Sequence, residues 1–84
     1  MSLNLFIMEI TMRVINLDET GIKLISNKRQ QIYLSVQEIQ SFLDGNYKID
    51  NYTLIVGNKR LALSDIDVHE FQSVLNYIAA NFKK

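Results

Sequence analysis

The stretch Asn27-Lys28-Arg29-Gln30-Gln31-Ile32-Tyr33-Leu34-Ser35-Val36-Gln37-Glu38-Ile39 decides the fold. It opens on a turn signal, because the short amide of Asn tolerates left-handed backbone angles. Gln31 to Leu34 then reads as a strand. Ser35 changes the period: its hydroxyl can accept from the Glu38 N–H while the Glu38 carboxylate reaches back to Ser35, a capping box. Leu34 before the cap and Ile39 after it have the spacing of a hydrophobic staple. Val36, Ile39, Phe42 and Leu43 make one apolar stripe, and Gly45 can take the left-handed angle that ends the helix.

The same wording returns downstream. Asn58-Lys59-Arg60 repeats Asn27-Lys28-Arg29, and Ser35–Leu43 agrees with Asp67–Leu75 at five of nine positions, Val, Glu, Gln, Ser and Leu. Asp67 reads as the second cap with Glu70 completing its box, and Ile66 with Phe71 as the staple. Ser64 with Asp67 is a competing start three residues earlier. Val68, Phe71, Val74, Leu75, Ile78, Ala79 and Phe82 continue as one helical stripe. Amphipathic helices share a pattern, which accounts for part of the likeness. The shared turn, cap and staple point beyond that to a duplicated ββα unit, residues 22–44 and 47–82.

Four further segments complete the pattern. Met8, Ile10, Met12 and Val14 alternate with polar residues at period two, a strand with one buried face. Asp18-Glu19-Thr20-Gly21 is a turn, and Ile22 to Ser26 a strand. Tyr47 to Val56 reads as a strand interrupted near Asp50-Asn51, and Gly57-Asn58 turns into Arg60–Leu63. The expected fold is therefore α+β in the order β-ββα-ββα. It has one antiparallel sheet of about five strands and two amphipathic helices on one face.

Composition bounds the rest. Eighty-four residues make one small domain spanning 1–84, with 48% apolar residues, an ordinary globular share. Residues 1–7 read as a leader or flexible arm. Nine basic and nine acidic residues cancel, which argues against a surface wholly given to nucleic acid. No segment approaches the ~18 apolar residues of a membrane span, and the absence of cysteine suits a reducing compartment, so a cytoplasmic setting is expected.

Few residues are placed for catalysis. His69 is the lone histidine, on the polar side of the second helix; a metal site with Asp65 and Asp67 would lack ligands and would take Asp67 from its cap. Glu38 and Glu70 have capping roles, and Asp18, Glu19, Asp44 and Asp50 stand in turn contexts. There is no cysteine, Gly21, Gly45 and Gly57 are dispersed rather than clustered in a phosphate loop, and no unexplained acidic pair remains for nucleophilic or phosphate chemistry. The expectation is a non-enzymatic protein without cofactor or metal.

Binding surfaces are the alternative. Lys28, Arg29, Lys59 and Arg60 could form paired basic tips for a phosphate backbone, with Tyr33 and Tyr52 as stacking faces. Against this, charged hairpin tips are commonly just solvated, and Tyr is an ordinary strand former. The apolar N-terminal strand, with Ile7, Met8, Ile10 and Met12, would be a liability as a free edge and is covered by pairing across a homodimer. A dimeric protein-interaction or regulatory module is the leading expectation, with nucleic-acid binding as its rival and a small enzyme a distant third.

Overall fold

A computed structural model describes residues 12–82. The elements are β1 (Arg13–Asn16), β2 (Gly21–Ile25), β3 (Gln31–Ser35), α1 (Val36–Leu43), β4 (Lys48–Asp50), β5 (Thr53–Val56), β6 (Lys59–Ala62), α2 (Asp65–His69) and α3 (Phe71–Asn81). Two three-stranded antiparallel meanders, β1-β2-β3 and β4-β5-β6, replace the single five-stranded sheet expected from the pattern. The α+β class stands. The ββα duplication is not established by this arrangement, since each helix follows three strands.

The sixth strand comes from a turn hidden inside Tyr47–Val56. Asn51 and Tyr52 both take positive φ, 55° and 60°. Two such residues in a row are what a two-residue type I′ hairpin requires, and its twist matches that of the flanking strands. Asp50 then faces Thr53, and β4 pairs back on β5. Asn is comfortable there, but Tyr pays about 1–2 kcal/mol for a left-handed angle. The missing glycine is why the sequence signal was faint. The next hairpin carries its glycine openly, with Gly57 at φ +63°.

The first hairpin matches its sequence reading, with Ile22 opposite Leu34 and Leu24 opposite Ile32. Its left-handed residue is Arg29, at φ 65°, rather than Asn27. Ser26 is buried beneath this turn, and its hydroxyl accepts from Lys28 N at 3.2 Å and Gln30 N at 3.3 Å. Gly21 begins β2 at φ +147°, where a Cβ would stand 2.0 Å from the Leu34 carbonyl oxygen. Only glycine lets β2 approach β3 so closely.

α1 follows its reading at both caps, while Val36, read as part of the apolar stripe, is exposed and Ile39 and Phe42 are buried. Ser35 and Glu38 form the capping box. At the other end Gly45 N donates to Phe42 O and Asn46 N to Ser41 O, the Schellman pair that satisfies the last carbonyls. The second helical segment differs. Ser64, not Asp67, is the cap, and Asp67 occupies the box position expected of Glu70. The upstream residue of the staple spacing is thus Leu63, fully buried, while Ile66 is exposed. Glu70 leaves helical angles at φ −99°, ψ 10°, so the continuous stripe is divided into α2 and α3.

One core is drawn from both halves. Ile22, Leu24, Leu34, Phe42, Leu54, Leu61, Leu63 and Ile78 are fully buried in a single cluster. Phe42 stands edge-on to Tyr47 and Phe71, with centroids 5.2 and 5.9 Å away. Such aromatic edges add about 0.5–1.5 kcal/mol each beyond their buried area, and they tie α1 to α3.

Candidate interaction surfaces

The side chains with potential chemistry are held by the fold. Asp67 is fully buried, and its carboxylate accepts from Ser64 N at 2.8 Å and from Asn27 N at 3.0 and 3.2 Å. The β2–β3 turn is thereby docked on the start of α2. Glu38 has the corresponding place on α1. Its Oε1 accepts from Ser35 N at 2.9 Å and from Lys59 Nζ at 2.8 Å. The Lys59 hydrogen bond, then that of Ser35, holds the Glu38 carboxyl below its ordinary value of 4.5, against a smaller opposing effect of burial.

Among the expected contact residues, Tyr33 and Lys59 come together. Lys59 Nζ donates to the Tyr33 carbonyl at 2.5 Å and sits 5.1 Å from the centre of its ring. The Tyr33 hydroxyl donates to Thr20 O at 2.6 Å. The ring is thus anchored at both ends while 41% exposed. Lys28 and Arg29 stand elsewhere, on the turn fixed to α2, whereas Lys59 is fixed to α1. Arg60 pairs with Ile55, and as the neighbour of Lys59 in β6 it points to the opposite face. The two basic pairs are thus held against different helices, and Lys59 and Arg60 open a strand rather than form a hairpin tip.

Tyr52 is separate again. The nearby Asp65 carboxylate, as acceptor and as negative charge, raises its phenol above the ordinary value of 10.0. Of the expected dimer residues, Ile7, Met8 and Ile10 lie outside the described residues. Met12 is 5% exposed and belongs to the core. His69 is exposed, and no group of three metal-ligating side chains occurs among the described residues. No helix among them is long and apolar enough to cross a membrane.

Two grooves were not anticipated. A groove of about 370 Å³ lies between β1 and α3, lined by Met12, Arg13, Val14, Ser73, Val74 and Tyr77. A second, of about 350 Å³, is bounded by Asp18, Glu19, Val36, Ile39 and Phe82 among others. β1 lies at the end of its sheet and exposes Ile15 to 41%. The sequence did carry a signal for that residue. Ile15 falls in phase with Arg13, on the polar side of the alternation, so an apolar side chain stands where a polar one belongs. No family model matches the chain, and no curated protein or solved structure matches it either.

Proposed function

We propose that the protein is a non-enzymatic interaction module that works as a homodimer, in a cytoplasmic setting. One observation carries this reading. The carboxylates and hydroxyls nearest to catalytic types, Glu38, Asp67, Ser35 and Ser64, are committed to backbone partners, while large apolar side chains stand at the surface. Ile15, Tyr77 and Ile66 are each more than 40% exposed. Ile15 on β1 and Tyr77 on α3 flank the side where a partner could bury them, and covering such side chains is what association supplies. Light scattering over a concentration series is the test: a mass rising to twice that of one chain supports the reading. A single-chain mass throughout, up to high micromolar concentration, defeats it.

A second reading, nucleic-acid binding, has one observation in its favour. Every described cation lies on a strand or on the β2–β3 turn, and Glu38, Asp44, Asp65, Asp67 and Glu70 lie on or beside the helices. Seven described cations thus stand on strands or their turns against three acids there, Asp18, Glu19 and Asp50, and the anchored Tyr33 ring is also on a strand. Labelled single- and double-stranded oligonucleotides at low and moderate salt decide the matter. Salt-dependent binding weakened by Lys28→Ala with Arg29→Ala supports it, and no binding at low salt removes it.

A further inference from the structure

The hydrogen-bond phase of β1 specifies a partner strand. Leu17 N donates to Gly21 O at 2.9 Å, continuing the β1–β2 ladder. In an antiparallel ladder such residues alternate, so Arg13, Ile15 and Leu17 turn their N–H and C=O toward β2. Val14 and Asn16 turn theirs outward, where no strand among the described residues meets them. The other sheet ends are protected. β3 and β6 approach each other, with Lys59 laid on Tyr33 O. β4 has three residues, two of them charged, Lys48 and Asp50, and charges and shortness guard an edge. β1 has Val14 and Ile15 at its centre.

We infer that a second copy of this chain docks on β1, antiparallel, with the twofold axis passing through Ile15. The inference rests on the dimeric reading above and adds its surface and register. Residues directly opposed across an antiparallel pair lie on the same face. Only registers joining residues of like parity therefore keep core face beside core face. An axis at Val14 would call on Met12, which precedes β1 and lies in the core. An axis at Ile15 uses Val14 and Asn16 alone: each exchanges backbone hydrogen bonds with the other residue of the second strand. The exposed Ile15 side chains then cover each other on the outer face. Arg13 falls opposite Leu17, so like charges do not meet. The groove between β1 and α3 opens beside this edge and gives room to core-face side chains of the added strand.

Two variants of the full chain test this in solution. Ile15→Lys sets two ammonium groups against each other on the axis and should return the mass to that of one chain, with the far-ultraviolet circular dichroism spectrum still that of the folded chain. Ile15→Cys uses the absence of native cysteine. Opposed Cβ atoms in such pairs lie about 4.5–5.5 Å apart, close to disulfide reach, so mild oxidation should give a covalent dimer. Arg13→Cys, opposite Leu17, should not. A dimer whose mass survives Ile15→Lys overturns the surface and leaves the dimeric reading standing. Cross-linking at position 13 as readily as at 15 overturns the register. A single-chain mass for the unaltered protein overturns both, as it would if residues 1–11 of the same chain held the edge.

Discussion

The starts of α1 and α2 carry the same local device and put it to different use. Each has a serine cap and a carboxylate three residues on, and each carboxylate takes one further donor from the other half of the chain. On α1 that donor is the Lys59 ammonium, and the pair stays partly open, with side chains 29% and 33% exposed. On α2 it is the backbone N–H of Asn27, and Asp67 is sealed completely. A flexible, hydrated ammonium contributes little, because solvent screens it and ordering it costs entropy. A buried carboxylate bonded to fixed N–H groups is costly to disturb, since its removal strands donors with no access to water. The α2 contact is therefore the structural joint between halves, and the α1 contact a surface clasp.

The sharpest way to break this contrast is Asp67→Ala, which leaves Ser64 N and Asn27 N without their acceptor. We expect a loss of about 3 kcal/mol in urea unfolding, and a loss below that of a single cap would contradict the sealed joint. Next come the caps, Ser64→Ala and Ser35→Ala. Each should cost about 1 kcal/mol, Ser64→Ala the more because its box also orients Asp67. Equal losses would mean that the boxes work independently of what lies across from them.

The smallest effect is expected from Lys59→Met, at most about 0.5 kcal/mol at neutral pH. Its pH dependence has a definite sign. Glu38 is depressed in the folded state, so its share of stability is present above the ordinary carboxylate value of 4.5 and is lost as pH falls below it through the folded value. Lys59→Met should flatten that part of the acid limb in a pH series of urea midpoints. An unchanged limb would remove Lys59 as its cause.

Turns and caps were legible where their signal was local. Ser35, Glu38, Leu34, Ile39 and Gly45 behave as their spacing predicts, because each interaction closes within one or two helical turns. Ser64 was visible as a rival cap, and it prevails because Asp67 at its third position also reaches Asn27. The Asn51-Tyr52 turn was harder to read, since tyrosine seldom accepts φ near +60° and no glycine marked the place. The pairing of Asn27-Lys28-Arg29 with Asn58-Lys59-Arg60 misled for a related reason. The first triplet sits in a five-residue turn and the second straddles a two-residue turn and a strand, so identical letters occupy different geometry.

By itself the sequence determined the α+β class, the start of α1, most strand positions and much of the core. Those follow from periods and from hydrogen bonds between near neighbours. Only the tertiary structure decided that the strands divide into two sheets. It also decided that Asp67 is buried against Asn27, 40 residues away, and that Lys59 spans 21 residues to Glu38. It alone left Val14 and Asn16 of β1 without a second strand neighbour among the described residues. Contacts of that range depend on how whole elements pack, and no local pattern of side chains records which donor will arrive opposite which acceptor.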